Sequence, residues 1–284
     1  MVERDISPGD VSWARDLPRL AVLGLLGLLL LLPYIWMVSA SLKPADEIFA
    51  ATLNLLPKRL WVVQNFGTVF ERLPVLLYLW NGVVVCGGIL VFQLLFAIPA
   101  GYALAKLEFR GRELLLGAVM LGLLVPPHVP ALPLYAGLSA LGMLDTYTAL
   151  IAPSTISVFA IFLFRQFFKS LPDDLIHAAR LDGMGEMAIV WRVVLPNAWP
   201  AATAFAIFSV VAHWNDLFWP LIVVNSPAHA TPALGVLFFR TTEGDDDFGA
   251  LMAAAVIMTT PLVLAFLLAQ RRFVEGIATT GLKG

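Results

Sequence analysis

The chain has 284 residues, of which 60% are hydrophobic and 13% charged, with a mean hydropathy of +0.85; soluble domains carry roughly 25% charged residues, so water is not its main solvent. A formal net charge of -2 and a pI near 6.1 exclude the basic field that binding to nucleic acid requires. The single cysteine, Cys86, excludes an intrachain disulfide and a thiolate metal cluster, and its apolar surroundings make it a small filler.

A helix needs about 20 apolar residues to cross a hydrocarbon core roughly 30 Å thick. After an N-terminal tail over residues 1–19, six such runs follow in order: Leu20 to Val38, Asn81 to Ala105, Leu114 to Tyr135, Tyr147 to Phe168, Pro200 to Val224 and Ala250 to Gln270. The pattern predicts an all-α polytopic membrane protein, one transmembrane domain over residues 1–284. Val38, Ser39 and Ala40 resemble a signal-peptide cleavage site, but the apolar stretch before them is longer than a signal peptide needs and its flank is not clearly basic, so a retained helix is expected.

With six spans, Lys43, Lys58, Arg59, Arg72 and Arg240 fall on one side and the other 13 of the 18 Lys and Arg on the opposite side. The positive-inside rule then puts both termini in the cytoplasm. The stretch from Ser41 to Leu79, with Pro44, Pro57 and Pro74, reads as an external cap of irregular chain and short helices. The acidic run Asp245 to Asp247 also falls outside, and its simplest reading is a solvated loop. In the third run Pro126, Pro127, Pro130 and Pro133 surround His128, which demands a broken or kinked helix packed inside protein. No second histidine or carboxylate at ligand spacing supports a metal there.

Between the fourth and fifth runs, residues 169–198 are too polar to cross the bilayer yet patterned for helix. Pro172 suits a first turn, Asp173 and Asp174 place negative charge at the positive end of the dipole, and Arg180 falls in the last turn. Gly183 supplies the left-handed cap. A second short helix is expected over Glu186 to Val194, ended by Pro196. On the residues alone this helix, turn and helix has two readings. It is an amphipathic segment resting on headgroups, or a docking element in which Ala178, Ala179 and Gly183 let another backbone approach closely.

Polar residues inside the runs mark partners or a pathway, because burying them in hydrocarbon is costly. His213, Asn215 and Asp216 cluster in the fifth run, with Asp216 about 25 Å along a helix from Trp199. They either line a translocation route or hold neighbouring helices together by hydrogen bonds. Asn81 and Gln93 read as interhelical polar contacts.

The motif His177-Ala178-Ala179, Asp182-Gly183 and Leu195-Pro196 resembles, at matching spacing, the EAA motif of ABC importer permeases. His177 stands where that motif has its leading Glu. Other stretches resemble the carbohydrate-uptake branch of the family: Ser41-Leu42-Lys43-Pro44, Asn65-Phe66, Ala100 to Ala105 running into Phe109-Arg110-Gly111-Arg112, Leu132-Pro133-Leu134-Tyr135, Trp214-Asn215-Asp216 and a closing Gly281-Leu282-Lys283-Gly284. The resemblance implies that residues 177–196, Glu186 included, form a coupling helix gripped by an ATPase. It further implies a homologous permease as heterodimer partner, two ATPase subunits that use ATP and Mg, an extracytoplasmic solute-binding protein, and a place in the bacterial inner membrane. The implied cargo is an oligosaccharide, an amino sugar, glycerol phosphate or a related solute. No Gly-Lys-Ser/Thr occurs, so no P-loop is present in this chain and no bound cofactor is expected. The rival classes are a membrane-embedded enzyme, for which G-x-S-x-G and H-E-x-x-H are both missing, and a stand-alone secondary transporter, for which no internal repeat is detected.

Overall fold

The structure is a computed structural model that describes residues 13–50, 54–243 and 247–281, with side chains over 17–50, 54–240 and 247–268. Most of the acidic run near Asp245 and the closing Leu282-Lys283-Gly284 lie outside the described residues. The described chain is helical: α1 Trp13–Ser41, α2 Ala45–Ile48, α3 Val62–Arg72, α4 Val75–Lys106, α5 Arg112–Leu124, α6 Ala131–Ala140, α7 Tyr147–Ile151, α8 Val158–Lys169, α9 Asp173–Leu181, α10 Glu186–Asn197, α11 Trp199–Trp214, α12 Phe218–Val223, α13 Pro232–Glu243 and α14 Phe248–Gly281.

Among the described residues three uninterrupted helices are long and apolar enough to cross a membrane: Leu17–Ser41, Val75–Lys106 and Phe248–Leu268. Two further candidates are bent pairs, Tyr147–Ser154 with Val158–Lys169 at 42° and Glu186–Asn197 with Trp199–Trp214 at 82°. The third expected run, Leu114 to Tyr135, is not one helix. α5 stops at Leu124, and α6 begins only after Pro130. Pro126, Pro127 and Pro130 remove three backbone donors within five residues, and no helical ladder survives that loss. The fifth run is interrupted too, with residues 215–217 separating α11 from α12.

The chain divides into two compact units. One comprises the described residues up to Val69 together with Glu243–Val256. Its leading helix exposes nearly every side chain from Leu17 to Ile35, the surface a hydrocarbon solvent calls for. At its end the Ser41-Leu42-Lys43-Pro44 turn is held by Asn65, whose Nδ2 donates to the carbonyls of Ser41 and Lys43, each at 2.8 Å. Lys43 is buried, with its ammonium 4.9 Å from the centre of the Trp36 ring and donating to the Asn54 carbonyl. A buried ammonium is tolerable only when paired in this way. Two motifs 22 residues apart thus form one structural joint.

The other unit, Phe70–Thr242 with the chain from Ile257, is built on α4. α4 packs along α8 and α11, and its core includes Ala97, Ile98, Tyr102, Phe164, Phe168, Ile189, Val194 and Phe205. Gly101 makes the α4–α8 approach possible. A Cβ there would lie 2.8 Å from the Cβ of Phe164 and 3.0 Å from the backbone nitrogen of Arg165. The carbonyls at the end of α4 are satisfied by two cations: Leu104 accepts from Arg112 Nε at 3.1 Å and from the buried Arg165 Nε at 3.3 Å. Both also complement the negative end of the helix dipole.

Candidate functional site

The segment between α8 and α11 begins as the sequence leads one to expect. α9 has Asp173 and Asp174 in its first turn and Arg180 in its last. Gly183 takes φ +79°, its N–H donates to the Arg180 carbonyl, and the N–H of Met184 donates to the Ala179 carbonyl, each at 3.0 Å. This is the paired bonding of a Schellman cap. Two expectations fail. Pro196 does not end the second helix, because residues Val190–Val194 form a π turn that runs on through Leu195–Asn197. The wider turn gives the proline ring room and removes the need for its missing donor. Ala179 does not face outward either: it is buried with Ile176 in the core of its own unit.

The outward face holds His177, Ala178, Asp182 and Gly183, with Leu181 89% and Met187 63% exposed. Pro196 is also exposed, whereas Leu195 is half-buried against the core. The inward side is fastened to α4. Tyr102 donates its hydroxyl to Glu186 Oε2 at 2.6 Å, and Arg180 Nε donates to Glu186 Oε1 at 2.8 Å. Lys106 Nζ donates to Asp173 Oδ1 at 2.5 Å and to the Leu171 carbonyl at 2.7 Å. Glu186, expected on the docking surface, is exposed there and also joins the segment to its own bundle. Sequence reasoning passed over Tyr102 and Lys106 as functional residues. Their i, i+4 spacing at the end of a span, a tyrosine and a lysine on one helix face, was the available signal.

The second feature is a cavity of about 620 Å³ in the same unit. Three interruptions of helix meet in its wall: residues 125–130 between α5 and α6, residues 155–157 before α8, and Asp216 between α11 and α12. Its polar lining includes Gln93, His128, Ser154, Ser157, His213 and Asp216, beside Phe159, Phe218 and Trp219. Gln93 is held on three sides, donating to the Ser154 carbonyl at 2.9 Å, accepting from Ser209 Oγ at 2.7 Å and lying 3.3 Å from His213 Nε2. Asp216 Oδ1 accepts from the backbone nitrogens of Phe218 at 3.0 Å and Trp219 at 3.3 Å, capping α12.

Of the five polar residues singled out in the runs, the structure brings Gln93, His213 and Asp216 to this cavity. Asn215 does not line it, since its Nδ2 turns back to the Val211 carbonyl at 2.8 Å. Asn81 is fully buried elsewhere, donating to the carbonyls of Ala228 and Ala230 and accepting from Tyr147. It ties helices and loops together.

Residues 97–279 match the family model described as the binding-protein-dependent transport system inner membrane component. The chain is 34% identical over 256 residues to the arabinooligosaccharides transport system permease protein AraQ of Halalkalibacterium halodurans, covering 89% of this chain and 91% of that one. The chain belongs to this permease family. It is also 34% identical over 259 residues to the sn-glycerol-3-phosphate transport system permease protein UgpE of Yersinia pestis, covering 88% of this chain and 91% of that protein. The fold matches, with a TM-score of 0.81 and 21% identity, a chain in a crystal structure of a bacterial ABC transporter involved in import of the acidic polysaccharide alginate, over 92% of this chain and 96% of that one. The permease is a transport subunit, not an enzyme.

The joint at Glu186 responds to pH in a direction that the geometry fixes. The Arg180 guanidinium, aided by the Tyr102 hydroxyl against the effect of burial, holds the Glu186 carboxyl below its ordinary value. The Lys106 ammonium does the same for Asp173. A depressed carboxyl contributes stability above its unfolded pKa, roughly 4, and loses it as pH falls through the lower folded value. A fluorophore on Leu181→Cys should therefore keep a constant anisotropy from pH 8 to about 5 and become mobile only below about 4. In Glu186→Gln the label should be mobile at every pH, with a smaller acid step.

Proposed function

We propose that this permease forms half of the translocation pathway of an ATP-driven importer for a sugar or related solute. The observation that carries this reading is the convergence of three helix interruptions on one polar cavity. Irregular backbone at membrane depth is tolerated where it is buried in protein or lines a water-filled cavity, and broken helices are a recurrent way of building solute sites. The cargoes named for the relatives, arabinooligosaccharides and sn-glycerol 3-phosphate, support a solute of this kind.

The outward face of α9 and its turn is the handle for an ATPase subunit, on the cytoplasmic side with both chain termini, as the distribution of Lys and Arg favours. A homologous permease completes the pathway. Two ATPase subunits supply the energy from ATP and Mg, and an extracytoplasmic binding protein delivers the cargo at the bacterial inner membrane. Two routes lead from handle to cavity. α4 carries Tyr102 and Lys106 at the joint and Gln93 in the cavity wall, about 14 Å away along the helix. α10 meets α11 at an 82° elbow, and α11 carries His213. A push on the handle thus moves two walls of the cavity.

Asp216 tests the pathway role. Asn caps helices about as well as Asp, so Asp216→Asn removes charge and keeps the cap, while Asp216→Ala removes both. Reduced uptake with normal complex yield in Asp216→Asn is expected. Normal uptake in Asp216→Asn with poor assembly in Asp216→Ala would reduce the residue to a structural cap. Uptake by the permease in vesicles lacking any ATPase would overturn the importer reading as a whole.

A further inference from the structure

The two relatives above carry cargoes of different charge, at equal identity to this chain, so sequence similarity does not choose between them. The cavity does. Among its lining residues there is one carboxylate, Asp216, and no lysine or arginine. Anions are bound in proteins by Arg or Lys forks or by free N–H groups at helix N-termini. Three helix N-termini stand in this wall, and each has N–H groups already engaged within the chain: at α6, which carries no side-chain cap, the N–H of Ala131 donates to the His128 carbonyl at 3.2 Å and Pro133 has no N–H to offer. Asp216 accepts from the first two N–H groups of α12, and Ser157 Oγ accepts from Ala160 N of α8 at 3.1 Å.

His213 supplies no cation either. Gln93 must turn its amide nitrogen toward the Ser154 carbonyl, which can only accept, and that same nitrogen faces His213 Nε2. Nε2 is therefore the acceptor and the imidazole is neutral in this arrangement. What remains is a set of hydroxyl, amide and imidazole groups beside the side chains of Phe159, Phe218 and Trp219. Such a wall matches the hydroxyl edges and C–H faces of a sugar. Resting on the pathway reading above, we infer that this cavity rejects anions and that the solute crossing it is an uncharged, polyhydroxylated molecule of the neutral oligosaccharide class.

The test uses the assembled importer in vesicles. Ile156 is 65% exposed and lines the cavity, whereas Cys86, the only native thiol, is buried at 4%. Ile156→Cys is treated at pH 8, above the ordinary imidazole range, with a cationic trimethylammonium-ethyl and an anionic sulfonatoethyl methanethiosulfonate. Each rate is divided by its rate on a free thiol. The corrected ratio should favour the cation by at least about tenfold and fall toward one in Asp216→Asn. The solute released from the companion binding protein, weighed by mass spectrometry, should be uncharged. A ratio near one, or a phosphorylated or carboxylated cargo, overturns the charge filter while the pathway reading stands. If a neutral methylating thiosulfonate on Ile156→Cys leaves uptake of that cargo unchanged, the cavity is off the route and both readings fall.

Discussion

Gly183→Val should stop uptake while the permease still inserts and assembles. Gly183 holds φ +79°, a region that costs an L-residue roughly 1–2 kcal/mol. Among the described residues, apart from its two chain neighbours, nothing lies within 4 Å of the position a Cβ would take. Backbone strain is thus the penalty that the described residues impose, and it is confined to a turn of four residues on the surface. A large functional loss must come from whatever presses on the exposed face around Ala178, Leu181 and Gly183. Uptake is expected to fall more than about tenfold, with ATP hydrolysis persisting but no longer tied to the loaded binding protein. Gly183→Asn separates the causes, since Asn tolerates the left-handed region yet adds bulk. Loss of uptake in both variants assigns the glycine to contact with the ATPase. Full uptake in Gly183→Asn confines its role to the turn, and full uptake in Gly183→Val removes the docking proposal.

This turn was legible in the sequence because its signals are local. Asp173 and Asp174 at one end, Arg180 at the other and a glycine at the cap fall within eleven residues, and each acts through the backbone nearest it. The prolines around His128 were equally readable as a broken helix. The joint at Glu186 was not, because Tyr102 is 84 residues away and only tertiary packing brings the two together. Ala179 was misplaced for a related reason: small size suits both close approach by a partner and burial in a tight core, and only the helix's orientation decides between them. At Pro196 a local rule was outweighed by a π turn, which the run Val190 to Val194 does not announce. The cavity itself was half visible. His213 and Asp216 stood out as costly polar groups, but that Gln93 would join them, and Asn215 and Asn81 would not, depended on where three broken helices met.

Gly101→Ala should destabilise the permease, whereas Gly87→Ala on the same helix should not. Both lie within α4, where replacing Gly by Ala in a free helix gains roughly 0.5–1 kcal/mol. At Gly87 an added Cβ meets none of the described residues within 4 Å, so that gain should appear as a small rise in melting temperature of the purified protein. At Gly101 the same methyl group would stand 2.8 Å from Phe164 Cβ, 3.0 Å from Arg165 N and 3.2 Å from Ile161 O. Two of those atoms are backbone and cannot swing aside, so α4 and α8 must separate. Overpacking of this sort costs about 1–3 kcal/mol, enough to reverse the propensity gain. Separation also strains the bond from Arg165 Nε to the Leu104 carbonyl, and it shifts Tyr102, the next residue, away from Glu186. Uptake in Gly101→Ala should therefore fall further than the melting temperature alone accounts for, because the route from the handle to Gln93 runs through this contact. Equal melting temperatures for the two variants would show that the helices part without cost, and would remove α4 as a rigid link between the docking face and the cavity.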